Sequence, residues 1–159
     1  MDILENRQEY LDDFIRLNEE WISTYFEIED VDLTLAANPN SIIQHGGYIF
    51  TILSMGQVAG VCALFNNGNG IFELARMAVS PDKQGKGIGD VLIETCLKKL
   101  KETKAVKVFL VSNTKLKPAI SLYKKHGFLT VSEGQHPVYS RANIVMERYL
   151  PVCLDLKLE

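Results

Sequence analysis

The sequence predicts an α/β fold in which helices flank a central mixed sheet. Three observations carry that prediction. Apolar residues recur at helical spacing near the N-terminus and in two segments of the second half. Between these segments lie β-branched and aromatic runs bounded by Gly, Asn, Ser and Pro. The first runs are joined by tight turns, which makes antiparallel pairs. The later ones are separated by helical segments, which allow parallel pairing.

Taken in order, residues 1–7 are read as a short first strand. Over residues 8–26, Leu11, Phe14, Ile15, Leu17, Trp21, Ile22, Tyr25 and Phe26 keep a helical period. An acidic turn leads into a shorter helical piece over 31–37, stopped near Asn38-Pro39. Residues 48–55 and 58–65 read as a hairpin around Gly56-Gln57, and the turn at 66–70 feeds a third strand, 71–79. Ser80-Pro81 ends that strand. The Gly-rich segment 84–89 opens a helix to about Lys101, with Leu92, Ile93, Cys96, Leu97 and Leu100 on its apolar face. Residues 106–111 form a strand, Pro118 suits the first turn of the next helix, and Gly127 suits its C′ position. Strands at 128–131 and 143–149 close the chain.

At 159 residues, with 47% hydrophobic and 23% charged residues, the chain is expected to form one domain over 1–159. No apolar run approaches the ~18 residues of a membrane span, so no membrane role is expected. The first seven residues lack a basic stretch followed by an apolar one and are not read as a secretory leader. Cys62, Cys96 and Cys153 make neither a disulfide framework nor a CxxC pair, which points to a cytoplasmic protein. His45, His126 and His136 have no ligand spacing, so no metal is expected. His126, just before Gly127, reads as a complement to a helix C-terminus.

The net charge of −3 argues against nucleic-acid binding. The charge is unevenly spread: −9 over residues 1–80, +7 over 81–126 and −1 over 127–159. A basic middle is either the footprint of an anionic ligand or a set of lysines on two exposed helix faces.

The segment Gln84, Gly85, Lys86, Gly87, Ile88, Gly89 sits where a strand becomes a helix. Alternating glycines clear side chains from a turn whose N–H groups converge, and the helix N-terminus adds a positive dipole. A phosphate suits that place. A purely structural turn is the alternative. A Walker loop is excluded because Gly85-Lys86 is followed by Gly87, and GxGxxG fails at Asp90.

Residues 72–89, ending in an apolar-Ala-Val run and then Gln84, Gly87 and Gly89, resemble the GNAT family of N-acetyltransferases. A second block of that family, AxxLYxxxGF, is matched by Ala119, Leu122, Tyr123, Gly127 and Phe128. The resemblance implies transfer of an acetyl group from acetyl-CoA directly to a primary amine of a small molecule or peptide in a ternary complex. It implies Glu73 as base, directly or through water, with a salt-bridged strand glutamate beside Arg76 or Arg141 as the alternative. Period two places Glu73, Ala75, Met77 and Val79 on one face, toward the acetyl group. Tyr123 is implied as the acid that protonates the departing thiolate. Met77 and Val79 are implied to offer backbone groups to the pantetheine arm and the oxyanion, and residues 84–89 to hold the pyrophosphate.

Many members carry Asn three residues before the Ala of the second block. Here that position is Leu116, and Asn113 either supplies a similar contact or forms a turn. Cys96 lies on an apolar stripe, which argues against a covalent acyl-cysteine. For the acceptor, Trp21, Tyr25 and Glu29 within an aromatic and acidic stretch suit a cationic amine. Tyr139 and Arg141 suit an anionic group instead, or the acidic turn is simply solvated. The alternative functions are an acyl-CoA-binding module without turnover, or the same fold using a protein acceptor or a longer acyl donor. The chain is expected to be a monomer or a homodimer, in which the tail at 151–158 adds an edge contact.

Overall fold

A computed structural model describes residues 1–137 and 140–151. Among these residues seven strands form one sheet in the order β1-β2-β3-β4-β5-β7-β6. They are β1 (Asp2–Glu5), β2 (Tyr48–Ser54), β3 (Gln57–Asn66), β4 (Ile71–Val79), β5 (Lys107–Ser112), β6 (Leu129–Glu133) and β7 (Ile144–Tyr149). Pairing is antiparallel throughout except between β4 and β5. The helix that joins those two crosses one face of the sheet, as parallel neighbours require.

Among the described residues five helices cover the two faces: α1 (Leu11–Tyr25), α2 (Asp30–Ala37), α3 (Ser41–Gln44), α4 (Ile88–Glu102) and α5 (Lys117–Lys125). The predicted helix over 8–26 begins with a 3-10 turn at Gln8–Tyr10. The single-turn α3 lies in a stretch that the sequence reading left unassigned, because four residues are too short for a period to register. No described helix is long and apolar enough to cross a membrane.

Two apolar layers hold the sheet. On one face Leu11, Phe14 and Leu17 of α1 pack with Ile42, Ile49, Val61, Ala63 and Ala78. On the other, Ile88, Leu92, Ile93, Cys96 and Leu100 of α4 pack with Phe50, Ile52, Leu64, Phe72, Leu74 and Phe128. The N-terminal turn of α4 sits very close to β3. A Cβ on Gly60 would come within 2.7 Å of the Ile88 side chain, so glycine there lets the helix start against the strand. Leu92, fully buried one turn later, continues that contact. Leu92→Ala should therefore lower stability by about 2–5 kcal/mol, and the melting temperature by roughly 2–4 °C for each kcal/mol, in a thermal unfolding scan.

Candidate active site

Strand β4 does not keep period two. Ala75 pairs with Ala63, but Ala78 pairs with Val61, so Arg76 and Met77 together stand opposite Cys62. This is a β-bulge, and Arg76 takes a left-handed φ of 57° within it. The extra residue reverses the faces. Phe72 and Leu74 before it, and Met77 and Val79 after it, pack on the α4 layer, whereas Ala78 belongs to the α1 layer. Glu73 lies opposite Phe65, which packs on the α1 layer. The expectation that Glu73, Ala75, Met77 and Val79 share one face is thus corrected: Glu73 and Ala75 are on the α1 side, Met77 and Val79 on the α4 side.

Strands β4 and β5 also part. They pair only from Ile71↔Lys107 to Glu73↔Phe109, while β4 runs on to Val79 beside β3 and β5 to Ser112 beside β7. The gap is the bottom of a cleft with about 790 Å³ of open space. It is lined by Glu73, Ala75, Arg76 and Met77 of β4, Val111 and Ser112 of β5, Tyr123 of α5, and Trp21, Ile22 and Phe26 at the end of α1.

Glu73 sits at the fork. Burial raises its carboxyl from 4.5 to about 7, against the opposing pull of the Arg76 charge. It makes no hydrogen bond or ion pair of its own among the described residues. Tyr123 packs edge-on against Phe128, with ring centroids 6.1 Å apart. Burial lifts its phenol above the ordinary value of 10 and so keeps it protonated. The two residues singled out as base and acid thus share one cleft.

The Gly-rich turn leads straight into α4. Gly85 and Gly87 have φ of +76° and +80°, and Gly87 is the N-cap with no side-chain cap. A Cβ at either would meet open space, so it is the backbone conformation that calls for glycine. Gly89 differs: a Cβ there would lie 3.0 Å from Leu122, so it sets the approach of α5 to α4. The uncapped first-turn N–H groups and the exposed Gln84 and Lys86 form a cradle that fits a phosphate.

Other predicted positions are committed within the protein. Asn113 donates to the Arg141 carbonyl at 2.8 Å and accepts from Lys115 N–H at 3.0 Å, which is the turn role weighed above. Leu116 puts an apolar wall on the cleft. Tyr25 is exposed and contacts Trp21, with ring centroids 5.4 Å apart. Tyr139 lies outside the described residues, as does Cys153. Cys96 is buried with its Sγ 3.6 Å from that of Cys62, and burial holds its thiol protonated. His126 is the C-cap of α5 through its backbone N–H, and its ring pairs with Asp90 of α4 at 2.8 Å. The described residues contain no group of His, Cys, Asp and Glu arranged for a metal ion.

The acidic stretch and Arg141, read separately as acceptor groups of opposite sign, bind each other. Arg141 grips Asp32 through two nitrogens at 2.7 and 2.8 Å and reaches Glu29 at 3.0 Å. Glu29 also accepts from the Ser140 hydroxyl at 2.7 Å. Arg76 pairs with the same Asp32 carboxylate, and the two arginines hold that acid at about 2 despite its burial. Asn18 donates to the Arg76 carbonyl at 3.0 Å and so fixes the bulge from α1. Asn18 and the Asp32 junction were not singled out in the sequence. The usable signal was a polar residue on the apolar stripe of α1.

Removing the Asp32 charge takes away the buried carboxylate that Arg76 and Arg141 share beside the cleft. Asp32→Asn should cost about 3–5 kcal/mol in chemical denaturation at neutral pH. Folding depresses this carboxyl, so its contribution is complete above 3.8 and is lost as pH falls toward about 2. Wild type should lose its advantage over the variant across that interval in acid titrations.

The family model for the acetyltransferase (GNAT) family matches residues 8–128. A GNAT-family acetyltransferase from Staphylococcus aureus Mu50 superposes with a TM-score of 0.83 at 20% identity, covering 94% of this chain and 99% of that one. A ribosomal-protein-alanine N-acetyltransferase from Brucella melitensis gives 0.78 at 16% identity, over 94% and 100% of the two chains. A phosphinothricin acetyltransferase from Sinorhizobium meliloti, in complex with acetyl-CoA, gives 0.75 at 19% identity, over 94% and 88%. A search of curated protein sequences finds no match. With the forked sheet, the glycine cradle and the family match over most of its length, the chain belongs to the acetyltransferase (GNAT) family.

Proposed function

We propose that the chain is an N-acetyltransferase that moves an acetyl group from acetyl-CoA directly to a primary amine within a ternary complex. The observation that carries the reading is Glu73, a carboxyl raised to about 7 in the cleft that also holds Tyr123. The acetyl-CoA complex of the Sinorhizobium relative supports the donor. The names of the relatives span a small-molecule and a ribosomal-protein acceptor, so both acceptor kinds occur on this fold.

Acetyl-CoA supplies an activated thioester when bound. The residues assigned to it are Gln84 to Gly89 for the pyrophosphate, and the β4 backbone at Met77 and Val79 for the acyl end. An alkylammonium near pKa ~10 carries a proton that must leave before nitrogen attacks. Glu73, ionising near neutral pH, is a stronger base than an ordinary carboxylate and takes that proton directly or through one water. The β4 groups left without a strand partner past Glu73 take up negative charge at the acetyl oxygen. Tyr123, held protonated, gives its proton to the departing sulfur.

The rate of acetyl transfer should rise with pH through about 7 as Glu73 ionises. Glu73→Gln should lose about 100-fold or more in kcat and lose that limb of the profile. Folding raises this carboxyl, so its contribution to stability is fully present below 4.5 and is lost as pH rises toward 7. Glu73→Gln should therefore melt above wild type at alkaline pH, which separates lost chemistry from lost folding. Unchanged kcat in the variant would remove Glu73 as base. A wild type that binds acetyl-CoA without turnover on any amine would be an acyl-CoA-binding module.

A further inference from the structure

The acceptor side of the cleft has a composition that limits what it can hold. Its walls are Trp21, Ile22 and Phe26 from the end of α1, with Val111 and Leu116 across from them. The amide and guanidinium side chains that line the cleft are committed within the protein. Asn18 donates to the carbonyls of Phe14 and Arg76, and Asn113 ties the Arg141 carbonyl to the turn before α5. Arg76 and Arg141 are balanced by Asp32 and Glu29. Glu73 remains as the carboxylate not tied to a cation by contact.

From this we propose that the acceptor is a small primary amine on an apolar, aromatic body that carries no carboxylate. The inference rests on the acetyl-transfer reading and names the substrate class of the same site. An ammonium entering the cleft meets Glu73. A carboxylate beside the amine would have to compete with Asp32, which is only 4% exposed, and with Glu29 for the Arg76 and Arg141 guanidinium groups. A second ammonium at the far end meets Lys115, whose Nζ lies 4.0 Å from the Phe26 ring centroid. The aromatic pair offers its faces and edges to a ring.

Size follows from the rim. Lys115 donates to the Tyr25 carbonyl at 3.2 Å, joining the end of α1 to the loop before α5. Ser140 and Arg141 join the loop before β7 to Glu29, at the start of α2. Phe26 and Arg141 belong to both the rim and the cleft wall, so these bridges bound the acceptor space on two sides. A compact amine passes between them more readily than an extended chain.

The test compares 2-phenylethylamine with phenylalanine, which adds only a carboxylate, with 1,4-diaminobutane, and with an alanine-headed tripeptide. Trp21 is the one tryptophan in the chain, so its fluorescence reports occupancy of this cleft without turnover. Acetyl transfer is measured alongside. The proposal expects phenylethylamine to shift Trp21 fluorescence and to exceed the other three in kcat/KM by at least about tenfold. Trp21→Ala should raise the KM for phenylethylamine about tenfold with the KM for acetyl-CoA unchanged, and Trp21→Phe should restore it. Transfer to phenylalanine, the diamine or the tripeptide at equal or higher kcat/KM overturns the proposal and leaves acetyl transfer standing. A fluorescence response to phenylethylamine alone, with no transfer to any amine, keeps the ligand class and removes the transfer reading. Fluorescence indifferent to all four overturns the class.

Discussion

The separation of β4 from β5 after Glu73 is the constraint on which the site depends. A parallel pair that ended together would close the sheet and leave no opening at its centre. Here β4 is kept on β3 by antiparallel bonds and β5 on β7, so the fork persists without any group having to wedge it apart. The bulge at Arg76 adds a second consequence. It turns Met77 and Val79 toward α4 and leaves Glu73 on the side of α1, so one strand serves two compartments. The glycine cradle belongs to the first compartment and the aromatic end of α1 to the second.

A left-handed non-glycine residue in a strand stores roughly 1–3 kcal/mol of strain and persists only when its neighbours fix it. Arg76 is fixed at both ends. Its carbonyl accepts from Asn18, and its guanidinium is held by Asp32. Asp32 also anchors Arg141 from the loop before β7. One buried carboxylate therefore ties α2, the bulge and the closing hairpin together, while the Glu73 carboxyl, the proposed base, has no ion pair of its own among the described residues. Both arginines pair with Asp32, and burial outweighs the Arg76 charge at Glu73, raising its carboxyl to about 7.

Much of this was legible in the chain. Local signals carry the elements: the spacing on α1 and α4, the turns at Gly56 and Gly68, and the positive φ needed at Gly85, Gly87 and Gly127. Glu73 and Tyr123 could be singled out because they sit inside two short blocks at fixed distances from glycines, and the fold brings both to one cleft. The reversal of faces along β4 was not legible, since a bulge is set by register against β3 and a single extra residue leaves no pattern. Nor was the pairing of Arg141 with Glu29 and Asp32, which are 112 and 109 positions away. Read in isolation, each of those charges looked available to a substrate. Folded, they satisfy each other, and the cleft keeps apolar walls at Trp21, Ile22, Phe26 and Leu116.

The most direct test of the forked sheet as the acyl-CoA site is a crystal structure of the chain with acetyl-CoA. The account predicts the pyrophosphate on the N–H groups of residues 85–89 and the thioester in the gap past the Glu73↔Phe109 pair. Its carbonyl oxygen should accept from the β4 backbone after the bulge, with the sulfur next to the Tyr123 hydroxyl. A pyrophosphate bound away from the α4 N-terminus, or a thioester lying outside that gap, would contradict it.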